Sequence, residues 1–183
     1  MAQAQEGFLL TRHWRDTPQG TEVEFWLATD NGPLHITLPP QESVAFIPEP
    51  DVEKTKQLLR GENGWRLAPL ELKDFQRRPV YGLYCRAHRQ QMRYEKLLRE
   101  AGVTLYEADV RPPERFLMER FITAPVWVDG TPRGDRLINA RLKPNPHYRP
   151  PLKWASVDIE TTRHGELYCI GIEGCGQRVV YML

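Results

Sequence analysis

Hydrophobic and polar positions alternate along the first third of the chain with the two-residue period of strands. From Phe8 to Trp14 that period puts Phe8, Leu10, Arg12 and Trp14 on one face and Leu9, Thr11 and His13 on the other. Asp16-Thr-Pro-Gln-Gly20 has turn chemistry, because proline presets φ and glycine tolerates φ > 0. Glu22 to Ala28 sets Val23, Phe25 and Leu27 against Glu22, Glu24 and Trp26, and Asp30-Asn31-Gly32 predicts a hairpin. Leu34, Ile36 and Leu38 continue the alternation until Pro39-Pro40 ends it, and Ser43 to Ile47 predicts a fourth strand. These four strands are expected to form an antiparallel meander or a small barrel.

Beyond them the period lengthens. Asp51 is placed to cap a helix carrying Val52, Leu58 and Leu59 and stopped by Gly61. Trp65 to Leu72 and Val80 to Cys85 predict strands, and Arg86 to Ala101 a helix with Tyr94, Leu97, Leu98 and Ala101 on its apolar face. Val103 to Tyr106 reads as a short strand. Asp109 is placed to cap a helix with Pro112 and Pro113 in its first turn and Phe116, Leu117, Arg120 and Phe121 along it. Trp127 to Arg136 reads as a turn-rich excursion and Leu137 to Leu142 as a strand. Four prolines between Pro144 and Pro151 predict a semi-rigid connector and a domain boundary, with residues 1–149 before it and 150–183 after it. The fold class expected is α+β: a β-rich first domain with several short helices, then antiparallel strands.

Composition narrows the functional range. The 183 residues are 40% apolar and 27% charged, as in globular domains, and a net charge of +1 leaves any nucleic-acid binding to a local patch. Three cysteines build no disulfide framework, no secretory leader is visible and no apolar run approaches bilayer thickness. A cytoplasmic protein with no membrane partner is expected. Cys169 and Cys175 read as packing residues, as do most of the five tryptophans, although an exposed indole can also stack on bases. The five histidines show no metal-ligand spacing.

The chemistry concentrates in Asp158-Ile159-Glu160-Thr161-Thr162. On a strand, residues two apart share a face about 6.6 Å apart, so Asp158 and Glu160 project together while Val157, Ile159 and Thr161 face away. Adjacent carboxylates repel unless a cation lies between them, and Mg²⁺ or Mn²⁺ takes such oxygen ligands. On the residues alone, an ordinary solvated acidic pair stands beside a metal site. Arg86, Arg89, Arg93 and Lys96 recur at helical spacing and can track phosphates, or simply form a solvated face.

A resemblance bears on these alternatives. Lys153-Trp-Ala-Ser-Val-Asp-Ile-Glu-Thr-Thr162 resembles the first exonuclease motif of family B DNA polymerases, and Tyr106 to Val110 with the helix from Arg115 to Phe121 resembles the segment leading into it. Thr11 to Asp16 and Pro79 to Arg89 are similar to bacterial members of that family, so the likeness runs along essentially the whole chain. It implies that Asp158 and Glu160 are metal-bound catalytic acids of a 3′→5′ proofreading exonuclease of ribonuclease H-like fold. The two-metal site would use Mg²⁺ or Mn²⁺, and it is incomplete here because the family's other motifs lie downstream. It further implies the N-terminal part of a DNA-directed DNA polymerase, a nucleotidyltransferase acting in replication, repair, synthesis past damage and the SOS response. The expected partners are template and 3′-end DNA and a sliding clamp. Arg86, Arg89, Arg93, Lys96 and Thr161 are the residues expected to touch nucleic acid. By itself the chain is expected to be inactive, and its last strands, with exposed edges, are expected to self-associate with another chain, to pack on the first domain or to be poorly ordered. The alternative is a small non-catalytic single-strand-binding protein.

Overall fold

Strands, alternating apolar and polar residues, dominate the computed structural model, which describes residues 4–183. The chain divides after Arg149 into two compact units.

In the first unit, β1 (Gln5–Thr17), β2 (Gly20–Thr29), β3 (Gly32–Thr37), β7 (Pro125–Arg133) and β8 (Arg136–Pro144) close a barrel in the order β1-β2-β3-β8-β7. Val23, Phe25, Leu27, Ile36, Val126, Val128 and Leu137 fill it, and Phe116 of α3 (Pro112–Met118) joins the same cluster. Of the four strands expected to form an antiparallel meander or a small barrel, β1 to β3 pair as a meander within this barrel, and the fourth is corrected. Pro39-Pro40 supplies no N–H to a ladder, and β4 (Ser43–Pro48) leaves for a second sheet. The barrel is closed instead by the segment expected as a turn-rich excursion. There, a bulge between Asp129 and Thr131 absorbs Gly130, where an added Cβ would lie 3.1 Å from the Ile138 carbonyl oxygen.

A second irregularity reverses part of the predicted facing. β1 carries a bulge between Leu9 and Thr11, so Leu10 faces solvent while Leu9 and Trp14, an odd number of residues apart, both pack on the barrel core.

The second sheet has the order β4-β6-β5, with β5 at Trp65–Lys73 and β6 at Pro79–Cys85. Ala45, Ile47, Leu83 and Cys85 pack there against Leu59, Tyr94, Leu98, Val103 and Leu105. Tyr94 and Leu98 belong to α2 (His88–Glu100), whereas Leu97, expected on the same face, is exposed. Gln91 lies buried in that helix instead, accepting from the Ser43 hydroxyl and donating Nε2 to the Ala108 carbonyl oxygen at 2.9 Å. Two expected caps are also corrected. Asp51 precedes α1 (Val52–Leu58), but its carboxylate accepts the Thr104 N–H at 2.9 Å; Arg111, not Asp109, holds the cap position of α3. The strand expected over Val103 to Tyr106 reduces to one bridge between Tyr106 and Phe46.

The second unit is a meander of β9 (Ala155–Thr161), β10 (Leu167–Gly174) and β11 (Gln177–Met182), with β10 central. Val157 and Ile159, expected to anchor β9 in a core, are 59% and 55% exposed, and β9 is an edge rather than a buried central strand. Cys85 is buried, and burial, with the Glu42 charge adding, pushes its thiol up to about 12. Cys169 is half-buried and Cys175 exposed, its Sγ 3.2 Å from the Trp154 carbonyl oxygen. Packing also fails for Trp26, Trp127 and Trp154, all exposed.

One glycine sets the end of this meander. Gly174 sits at φ 121°, and a Cβ there would overlap the Trp154 carbonyl and come within 2.8 Å of Ala155 Cα. Gly174→Ala is expected to cost about 1–3 kcal/mol through the strained backbone alone. Hydrogen exchange should show Ala155 to Val157 deprotected while the barrel amides are unchanged; unchanged exchange at Ala155 would refute this.

Candidate functional site

On β9, pairing with β10 sets Asp158 opposite Gly171 and Glu160 opposite Cys169. The irregularity in this ladder falls between Leu167 and Cys169, on β10, so Asp158 and Glu160 keep the predicted shared face. Gly171 leaves Asp158 room on that face: an added Cβ would lie 3.9 Å from Asp158 Cβ, an ordinary contact. Glu173, paired with Ser156 on one side and Arg178 on the other, is the next acid on this face. Ser156, Asp158, Gly171, Glu173, Arg178 and Val180 are among the residues around an open depression of about 380 Å³ that does not include Glu160. Asp158 Oδ1 accepts the Ile159 N–H at 3.0 Å.

These residues do not fit a complete metal centre. Both carboxylates are exposed, and no cluster of three or more acid, histidine or cysteine side chains able to hold a metal occurs among the described residues. An octahedral ion needs more protein or substrate oxygens than this pair supplies. Thr161, also exposed, lies on the opposite face at the end of β9. The turn that follows is held by Thr162, whose Oγ1 accepts the N–H groups of His164 and Glu166.

The basic residues form a different constellation from the helical stripe expected. α2 begins at His88, so Arg86 lies off the helix, its N–H bound to the Gly64 carbonyl at 2.9 Å. Arg86, Arg89 and Arg93 line a cleft of about 510 Å³ with Asn63, Gly64 and Gln90, and Lys96 lies outside it. Gly64 at φ 77° lets the loop close on Gln90, which donates to the Asn63 carbonyl. Arg93 is committed to Glu62 and lies over the Tyr94 ring at 5.0 Å. Arg86 and Arg89 make no ion pair among the described residues, so the cleft presents two uncompensated guanidinium groups. That arrangement favours an anion.

A residue missed in the sequence, Asp16, organises the wall of this cleft. Its carboxylate accepts the N–H groups of His88 at 3.0 Å and Arg89 at 2.8 Å, and the Thr21 hydroxyl at 2.8 Å. Burial by itself would raise the Asp16 carboxyl, but the Arg89 N–H, the Thr21 hydroxyl and the His88 N–H outweigh it and hold the pKa below the ordinary carboxylate value. The end of β1 thus caps a helix far along the chain, which no local spacing rule could reveal.

Comparison with known proteins supplies the context. The model for the DNA polymerase II N-terminal region matches residues 7–42, and that for the DNA polymerase II insertion domain matches residues 43–103. The second match begins where β4 leaves the barrel. DNA polymerase II of Escherichia coli (strain K12) is 76% identical over 180 residues, which are 98% of this chain and 23% of that protein. The chain therefore spans about a quarter of that relative's length. The family B DNA polymerase of the archaeon Pyrobaculum calidifontis superposes with a TM-score of 0.67 at 15% identity, covering 97% of this chain and 26% of that one. That likeness establishes a shared fold.

Proposed function

This chain belongs to the DNA polymerase II family, and we propose that it serves as the N-terminal and insertion domains, and the opening strands of the proofreading exonuclease domain, of a longer DNA-directed DNA polymerase. The observation that carries this is the 76% identity over 98% of the chain. A free-standing non-catalytic binding protein does not account for it.

In this reading residues 1–149 are the N-terminal domain and residues 150–183 begin an exonuclease domain of ribonuclease H-like fold. The longer protein synthesises DNA in replication and repair, past damage and within the SOS response, and proofreads 3′ ends. Asp158 and Glu160 are two ligands of a Mg²⁺ or Mn²⁺ centre whose remaining ligands lie outside residues 1–183. Their exposure and the two-carboxylate count support that division of the ligand set. Arg86 and Arg89 are phosphate contacts, Arg93 joins them only by giving up its pairing with Glu62, and Lys96 and Thr161 are separate candidate contacts with DNA. The unpaired edges of β9 and β11 support association between copies of the 183-residue chain. The clamp contact expected of the longer protein is assigned to no residue here. No helix among the described residues is long and apolar enough to cross a membrane.

Two measurements test this. The reading frame should continue past Leu183; a native stop codon there overturns the proposal. The purified 183-residue chain with Mg²⁺ should release no nucleotide from a 3′ end. Release that disappears in Asp158→Ala would show a site complete without further ligands.

A further inference from the structure

The barrel itself carries a feature that neither the metal site nor the arginine cleft uses. Its order, β1-β2-β3-β8-β7, with β3 and β8 parallel at His35↔Arg136 and Ile36↔Leu137, is the topology of oligonucleotide-binding barrels. Such barrels take single strands on the outer face of their second and third strands and on the loops joining strands one to two and four to five.

Pairing aligns one row across all five strands: Thr11 with Trp26, Trp26 with His35, His35 with Arg136, and Arg136 with Arg133. The neighbours Phe25, Ile36 and Leu137 are buried in the barrel, so the row faces outward. Trp26 is 46% exposed, and its ring stacks on that of His35 at 4.8 Å between centroids and 18° between planes. Glu24 steadies the imidazole, its Oε2 3.2 Å from His35 Nε2, and Arg15 lies 3.5 Å from the same carboxylate's other oxygen. The indole is thus a supported aromatic surface open to solvent. Arg133 and Arg136 flank the Gly134-Asp135 turn, exposed and outside any ion pair among the described residues. In this topology that turn is the strand-four-to-five loop. Glu22 and Glu24 occupy the outward positions along β2 and repel phosphate, so a bound strand runs across the sheet from Trp26 toward Arg136, about 10 Å away by strand spacing.

We propose that this row is a stacking platform for single-stranded DNA: a base stacks on Trp26, backed by His35, and the adjoining phosphates meet Arg136 and Arg133. The platform stands on the barrel alone; the choice of DNA over RNA rests on the polymerase reading.

The test uses the 183-residue chain and fluorescein-labelled (dT)12, followed by anisotropy across a salt series. Trp26→Ala is expected to weaken binding about tenfold, the lower part of the range for one stacked base, and Trp26→Phe to recover most of it. Trp127→Ala, which removes another exposed indole, is expected to leave binding unchanged. The Arg133→Ala, Arg136→Ala double variant is expected to reduce the slope of log affinity against log salt by about 1.4. Wild-type affinity in Trp26→Ala, an equal loss in Trp127→Ala, or binding that depends only on Arg86 and Arg89 would overturn the platform. So would failure of the wild-type chain to bind (dT)12 at low salt. Tighter binding of (rU)12 would overturn the choice of DNA while leaving the polymerase reading to its own tests.

Discussion

Phe25→Ala is expected to remove about 4 kcal/mol of stability, a large share of a domain total on the order of 5–15 kcal/mol. Phe25 is 1% exposed at the centre of the barrel, its ring centroid 6.2 Å from that of Phe116 at 45°. Phe116 is held from another side by the Arg120 guanidinium, 4.0 Å from its centroid. A barrel closed on all five strands has no free edge that can move inward, so the cavity left by the ring should persist. Removing a buried aromatic under those conditions costs its transfer energy and the cavity together. Urea unfolding followed by tryptophan fluorescence should show a lower midpoint at an unchanged slope. A loss below about 1 kcal/mol would mean that the barrel collapses around the gap, contrary to the closed topology.

Asp16→Ala is expected to cost about 2–3 kcal/mol. The lost carboxylate leaves the Arg89 N–H at the start of α2 and the Thr21 hydroxyl without their acceptor, and leaves the His88 N–H only its second acceptor, Thr21 Oγ1 at 3.0 Å. The effect should depend on pH in a defined direction. The Asp16 pKa is depressed on folding, so its contribution is fully present above the unfolded value near 4 and fades as pH falls through the lower folded value. Wild type and variant should therefore converge in strong acid. His88 acts earlier on the same axis. Burial lowers its pKa despite the opposing charges of Asp16 and Glu95, so the folded protein resists protonating it. Stability should begin to decline as pH drops below about 6.5, before the Asp16 contribution fades. Denaturant midpoints of both proteins between neutral and acid pH provide the check. A difference between them that grows in acid would contradict the assignment of Asp16 as a charged cap.

The parts of the fold legible in the sequence were those governed by near neighbours. Val23, Phe25 and Leu27 point inward as their alternation predicts, and Asp30-Asn31 makes the β2–β3 turn. The prolines between Pro144 and Pro151 contain the division after Arg149. What escaped depends on partners distant in the chain. No period of β1 or β2 announces that β7 and β8 will close their barrel. The bulge at Leu10 inverts the facing of everything before it, and an inserted residue has no signature in an alternation that looks unbroken. Gln91 and His88 are polar residues in a core, tolerated because Ser43 meets both. The same limit applied to the sites. Asp158 and Glu160 share a face because two-residue spacing is local. Arg86 and Arg89 meet Gly64 across a cleft, and Arg136 joins His35 and Trp26 only through register between strands distant in sequence.

The route by which the barrel closes also sets a timetable for its synthesis. On a ribosome β1, β2 and β3 emerge first, yet the edges of this trio stay open until Pro125 to Pro144 have been made. Between them comes the sheet of β4, β5 and β6 with α1 and α2, whose contacts are more local and which has its own buried cluster. Local contacts form sooner than distant ones. The middle of this unit should therefore mature while its beginning waits, two strand edges bare, for a partner still being translated.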